Sequence, residues 1–244
     1  PICREVCHIG VTEDPETGEL ELEEKGTVYT EMVSAFEKYW YYLYGEVDKM
    51  LYGEDHILSY NSGGAPDAIR QMQPSDLRAF HDRCYQLNNM GIIITLPKSM
   101  PADQFLGQAD SMLKRLDDNP DGPNAEPVKV QIPLSNSTAE PGEIRLTHYP
   151  GSNAQEPGNA AFAWPAQLGE LAPKEKMLIE TFLYCLGGSQ TSNLYNKLIN
   201  SDTRVVDIGA TSVWAGIDDH RGHPVYIGVS NIDADKVTRP QLEA

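Results

Sequence analysis

Few cysteines, little positive charge and no long apolar run mark this 244-residue chain. Its four cysteines, Cys3, Cys7, Cys84 and Cys185, show no repeated spacing. A disulfide framework is therefore not expected, and a reducing compartment, the cytoplasm or an organelle matrix, fits better. Cys3, Cys7 and His8 are close enough in sequence to share a metal, but no second pair of ligands follows them. Apolar runs are short, as in Met90-Gly91-Ile92-Ile93-Ile94, where a bilayer span needs roughly 20 residues. The opening residues, Pro1 to Glu5, have neither the basic flank nor the apolar core of a signal peptide. An initiator Met is also lacking, which points to processing or a partial chain. Lys and Arg number 19 against 36 Asp and Glu, for a net charge of −17. Such a surface repels nucleic acid and anionic membranes, so neither is an expected partner. It tolerates or attracts basic peptides, and it also simply keeps a protein soluble.

Length permits one large domain or two smaller ones, each with a real core. From Glu23 to Leu51 the apolar residues Val28, Met32, Ala35, Phe36, Tyr39, Trp40, Leu43, Val47, Met50 and Leu51 step by threes and fours. This spacing predicts one helix, with acidic residues at its start. A loop holding Asn61-Ser62-Gly63-Gly64 follows, and the two glycines are expected to supply positive φ. Helices are predicted at Pro66–Gln71 and Pro74–Tyr85, the latter with Leu77, Phe80, His81 and Cys84 on its inner face. Gly91–Leu96 is rich in β-branched residues and predicts a buried strand. Pro101–Leu116 reads as a helix. Asp117 to Pro127 is then dense in Asp, Pro and Gly, the composition of a linker. Beyond it, strands are expected near 143–149, 160–165, 204–213 and 223–230. Helices are expected at 173–186, stopped by Gly187-Gly188, and at about 192–200. From Asp233 another helix is expected to begin, so both ends read as lying inside domains.

Glu24 and Glu31 are seven residues apart, almost two turns of the predicted helix, so both carboxylates would face the same way. A helix carboxylate makes a good single zinc ligand when two histidines come from elsewhere. A second carboxylate can orient that ligand from behind. The same pair can equally be a solvated helix face. His81 reads as a helix residue satisfied by a hydrogen bond, and the Tyr39–Tyr44 aromatics read as packing.

The surrounding segment adds a resemblance. Lys25-Gly26-Thr27-Val28-Tyr29-Thr30-Glu31-Met32 is similar to the Gly-Val-Val-Tyr-Asn-Glu-Met stretch of the presequence-protease branch of the pitrilysin/insulinase family of zinc metallopeptidases. Tyr60-Asn61-Ser62-Gly63-Gly64-Ala65-Pro66-Asp67-Ala68-Ile69 and Leu77-Arg78-Ala79-Phe80-His81 follow in that branch's order and spacing, as do Tyr85, Asn89 and the Gly91–Leu96 stretch. Lys174–Gly188 with Gln190 to Leu198 resembles, more weakly, a region of the family's repeated domain.

The resemblance implies an α+β fold holding parts of two consecutive family domains, each an antiparallel-type sheet packed with helices. Residues 1–118 would be the later part of a catalytic-type domain, 119–127 a linker, and 128–244 the earlier part of a non-catalytic domain. It implies Glu31 as the distal zinc ligand and Glu24 as a supporting carboxylate behind it. The family's H-x-x-E-H, in which two histidines bind zinc and the Glu is the general base, does not occur here. His8, His56, His81, His148, His220 and His223 do not form it. The resemblance therefore places that motif upstream of Pro1 and makes the missing N- and C-terminal parts of the same protein partners of this chain. The implied parent is a Zn²⁺-dependent peptidase acting on unfolded peptides. This chain alone, with one ligand and no base, is expected to be inactive. The competing expectation is a non-catalytic relative that serves as a structural or peptide-binding module.

Overall fold

The computed structural model describes residues 2–87, 90–117, 133–151, 153, 156–165, 170–219 and 222–237. The fold is mixed α+β, with helices and two small antiparallel sheets. The chain divides into two compact units, one holding residues 1–26 and 67–131, the other residues 27–66 and 132–244. The expected linker, 119–127, lies outside the described residues.

In the first unit a short helix α1 (Ile2–Val6) leads into strand β1 (His8–Glu13), which pairs antiparallel with β2 (Leu20–Lys25). The turn between them is tied by Asp14, whose Oδ1 accepts from the amides of Glu16 and Thr17 at 2.8 and 2.9 Å. Those two backbone bonds hold its carboxyl below the usual Asp range. Helices α4 (Pro66–Gln71) and α5 (Pro74–Cys84) start where their prolines predict. Asp76 accepts from the Gln73 amide at 2.7 Å and closes the entry to α5. Helix α6 spans Ala102–Asp117.

Several expectations are corrected here. Glu23–Lys25 is strand, not helix, because it continues the apolar–charged alternation of residues 20–23 and pairs with β1 over its whole length. Of the expected inner face of α5, Leu77 and Cys84 are half-buried, while Phe80 and His81 are exposed. Gly91–Leu96 forms no strand: no described segment pairs with it, and Ile93 is fully exposed. β-Propensity reports fit to a pleated, half-buried surface, and without a neighbouring strand it has nothing to act on.

The second unit has three layers. The helix predicted over 23–51 begins at Thr27 and is broken at Phe36–Lys38 into α2 (Thr27–Ala35) and α3 (Tyr39–Tyr52). The sheet has the order β3 (Gly158–Trp164), β5 (Val225–Ile232), β4 (Ser212–Ile217), with both pairings antiparallel. Val47, Leu51 and Tyr52 of α3 pack with Tyr226, Ala161 and Ala163 on one face. Small residues on that face let the helix approach. Ile208, Ala210, Val229 and Ile232 form a second cluster, joined by Ala160, Phe162 and Val213 of the opposite face. Helix α7 (Pro173–Gly187) lies against β4, and α8 (Asn193–Leu198) packs on α7 and β4. Burying a Leu or Val fully contributes about 1.5–3 kcal/mol each, so these two clusters dominate the unit's stability.

Residues 143–149 do not form the expected strand. The chain shortly before them, residues 135–137, closes the end of α3. Ser135 donates to the Leu51 carbonyl at 2.7 Å, the Asn136 amide to Tyr52 O at 2.9 Å, and Ser137 Oγ to Met50 O. These bonds satisfy carbonyls that a helix C-terminus leaves open. Arg145 then pairs with Glu54 at 2.9 Å and Glu143 at 3.0 Å, and holds the Glu143 carboxyl below the usual range. The strand expected at 204–213 starts only at Ser212, since Gly209 adopts φ +75° and the preceding residues run as irregular chain. At the far end a single 3-10 turn, Ala234–Lys236, stands where a helix was expected to begin.

Candidate functional site

Gly26 lies in the chain between the two glutamates. It separates β2 from α2 at φ +137°, a region L side chains rarely adopt. A Cβ there would also lie 2.6 Å from the Val6 carbonyl oxygen, so only glycine fits.

Glu24 precedes this corner, on β2. Its Oε2 accepts from Arg70 Nη2 at 2.7 Å and Nε at 3.1 Å. Arg70 also reaches Asp67 Oδ1 through Nη1 at 3.2 Å, an i,i+3 pair on α4. The carboxylate is thus oriented by a charge-assisted fork rather than left to rotate in solvent. Its side chain is about one-third exposed.

Glu31 follows the corner, on α2. Tyr29 and Met32 of the same helix are buried, and Met32 packs against Gly63. Glu31 itself is exposed. A carboxylate on a helix fixed by its neighbours has the rigidity a single metal ligand requires. The expected sharing of one helix by Glu24 and Glu31 is not found: one stands on a strand and the other on a helix, in different compact units. Seven residues no longer mean two turns, so the argument from spacing alone lapses, and each glutamate stands on its own surroundings.

Other singled-out residues fall plainly. His81 is exposed, with its ring stacked on Tyr85 at 4.8 Å. The aromatics at the start of α3 pack with other rings: Phe36 with Tyr41 at 5.3 Å, Tyr39 with Tyr149 at 6.1 Å, Tyr44 with Trp214 at 6.3 Å. Gly64 has the expected positive φ, +83°, but Gly63 does not. Cys3, Cys7, Cys84 and Cys185 are free thiols. Among the described residues no group of three His, Cys, Asp or Glu is placed to hold a metal ion, so they do not by themselves fit Zn²⁺. No helix of the described residues is long and apolar enough to cross a membrane.

Sequence reasoning missed two features. Arg70 gave only a local signal, its i,i+3 spacing from Asp67, and nothing in the sequence pointed it at Glu24. The second is a buried tyrosine pair, Tyr52 and Tyr226, from elements 174 positions apart. The Tyr52 hydroxyl is buried beside that of Tyr226, with no partner at good hydrogen-bonding geometry. Burial, then the nearby Asp48 and Asp218 carboxylates, pushes its pKa up to about 12. Tyr226 is raised in the same direction by burial, with Asp48 next.

No family model matches the chain, and no curated protein matches it.

Proposed function

We propose that this chain is part of a zinc-dependent endopeptidase or oligopeptidase of the pitrilysin/insulinase family that degrades unfolded peptides. The observation that carries the reading is Glu31, an exposed carboxylate on a helix whose buried Tyr29 and Met32 fix its position. It stands inside the run of matches, from about Glu24 to Leu96, that resembles the family. In this reading Glu31 is one protein ligand to Zn²⁺, and both histidines and the general-base Glu come from outside this sequence. Glu24, held by Arg70, is a supporting carboxylate. The division proposed from the resemblance, 1–118 and 128–244 about a linker, belongs to the same reading, as does residence in a reducing compartment, which suits four free thiols.

A non-catalytic, peptide-binding relative is the second reading. The exposed apolar residues of the first unit favour it, notably Val11, Leu22 and Ile93.

One experiment separates the two. The longest natural protein that includes this chain is purified, its zinc is measured by elemental analysis, and its turnover of a fluorogenic unfolded peptide is followed. Stoichiometric zinc with chelator-sensitive turnover supports the peptidase. Zinc-free protein that binds such peptides without cleaving them overturns it in favour of the binding module.

A further inference from the structure

The β1–β2 hairpin has two unlike faces. Cross-strand partners share a face, and the register pairs Val11 with Leu22, Ile9 with Glu24 and Glu13 with Leu20. Ile9, Val11, Leu20 and Leu22 therefore lie on one side, flanked at its two ends by Glu13 and the Arg70-paired Glu24, and each of the four is exposed, by 58 to 75 %. The other side carries His8, Thr12, Glu21, Glu23 and Lys25. Asp14, Glu16 and Glu19 in the turn extend its negative charge. Lys25 is the one Lys or Arg among the hairpin's strand residues on that face, paired with Glu23 at 3.0 Å. Among the described residues the sheet has only these two strands, so the outer edge of β2 has no neighbour. A lone two-stranded hairpin is marginal in water, and an exposed, regularly alternating edge is a template for another strand.

The charge pattern selects the occupant. A strand added beside β2 meets Leu20 and Leu22 on one face and Glu21 and Glu23 on the other. Apolar side chains must alternate with cationic ones for both rows to be complemented. A second copy of this chain is disfavoured, because it would bring another −17 of charge and its own Glu21 and Glu23 to the edge. We infer that the β2 edge docks an extended partner segment that alternates apolar and basic side chains, by strand addition. Main-chain hydrogen bonds supply affinity and the two side-chain rows supply specificity. This inference does not rest on the peptidase reading: it concerns binding, and neither Glu24 nor Glu31 is needed for it.

The test uses the whole chain and a short, end-capped, fluorescently labelled peptide of alternating lysine and valine, followed by anisotropy. Controls are the same composition in two blocks, an alternating glutamate–valine peptide, and the lysine–valine peptide with N-methylated backbone. The alternating basic peptide is expected to bind at least about tenfold tighter than the block or N-methylated peptides. Glu21→Lys with Glu23→Lys should lower that affinity by about tenfold and transfer preference to the glutamate–valine peptide. Val11→Thr with Leu22→Thr should weaken both peptides with unchanged circular dichroism. Equal binding of block and alternating peptides would reduce the effect to the chain's overall negative field and overturn the inference. So would a charge-swapped protein that keeps its preference for the basic peptide. Self-association that the Val11→Thr, Leu22→Thr protein loses would assign the face to a second copy instead. The N-methylated control needs no variant, so it decides the strand-addition claim even where a substituted protein fails to fold.

Discussion

Gly187, the last residue of α7, abuts the backbone of β4 at Ala215: a Cβ on Gly187 would lie 2.9 Å from both the Ala215 amide nitrogen and its Cβ. The Trp214 carbonyl carbon would be 3.1 Å away. Two opposing effects meet at this position. Alanine is the better helix former by about 1 kcal/mol. The neighbours, however, are main-chain atoms of a central layer, which cannot swing aside. Gly187→Ala is expected to destabilise by about 1–3 kcal/mol, the usual cost of overpacking. Urea denaturation of the purified chain checks this, and a midpoint at or above that of the unsubstituted protein would show that α7 does not sit on β4 in this way.

The Tyr52 hydroxyl yields a second prediction. It is buried with only the Tyr226 hydroxyl beside it and no partner at good hydrogen-bonding geometry, so its desolvation is poorly compensated. Tyr52→Phe removes that cost while keeping the ring stacked on His56 at 5.3 Å. The change is expected to be neutral to stabilising by up to about 1 kcal/mol.

Alkaline pH gives a third. The Tyr52 pKa stands at about 12 when folded, against about 10 for an unperturbed tyrosine. A raised folded pKa means that the folded state keeps its proton where the unfolded state has lost it. The contribution is fully present below about pH 10 and is lost as pH climbs towards 12. Tyr226 acts in the same sense. Stability should therefore fall steeply above about pH 10, and Tyr52→Phe should flatten that fall. A melting temperature followed from neutral to alkaline pH measures it, and parallel profiles for the two proteins would refute the assignment to Tyr52.

How legible was this fold? Elements whose signals are local were read closely. Pro66, Pro74 and Pro173 each open a helix within a residue or two of the expected place, because proline's fixed φ acts without a partner. Strands β3 and β5 were also found. The errors fall where structure depends on distant chain. Residues 20–23 carry a period of two, but reading from Glu23 onward hid Leu20 and Leu22 and let the helical period of the following residues run backwards. Only β1, a dozen residues earlier in the chain, makes that segment a strand. Ile92–Ile94 is the converse case, strand-like residues with no described partner. As for the site, Glu31 could be singled out by its sequence surroundings. The Arg70 fork on Glu24 could not, since it joins residues 46 apart.

A fourth prediction follows from that fork, and applies to the zinc-containing protein under the proposed reading. Glu31→Gln should remove most of the zinc and the turnover with it, because a neutral amide is a poor Zn²⁺ ligand. Glu24→Gln should cost less, about 10–100-fold, as for a group acting behind a ligand. Arg70→Gln should resemble Glu24→Gln in effect, since either breaks the same contact. Elemental analysis alongside turnover separates the three. Full zinc and full activity in Glu31→Gln would return that carboxylate to a solvated helix face.

The isolated chain, under the same reading, should hydrolyse no peptide. One ligand does not hold zinc tightly, and no base stands ready to activate water. Added zinc in a fluorogenic peptide assay should change nothing. Chelator-sensitive turnover that persists through repurification would overturn this expectation.

The indole of Trp214 lies across Gly228 on the neighbouring strand, where any larger residue would displace it. Tyr44 and Tyr226 have their rings 6.3 and 6.5 Å from it. At such separations an excited phenol hands its energy to the indole rather than emitting. The second unit therefore contains its own optical gauge. While α3, β4 and β5 hold together, light absorbed by these two tyrosines re-emerges at tryptophan wavelengths. When the layers part, the phenols glow for themselves, and a fluorimeter can watch the sheet lose its helix with no label attached.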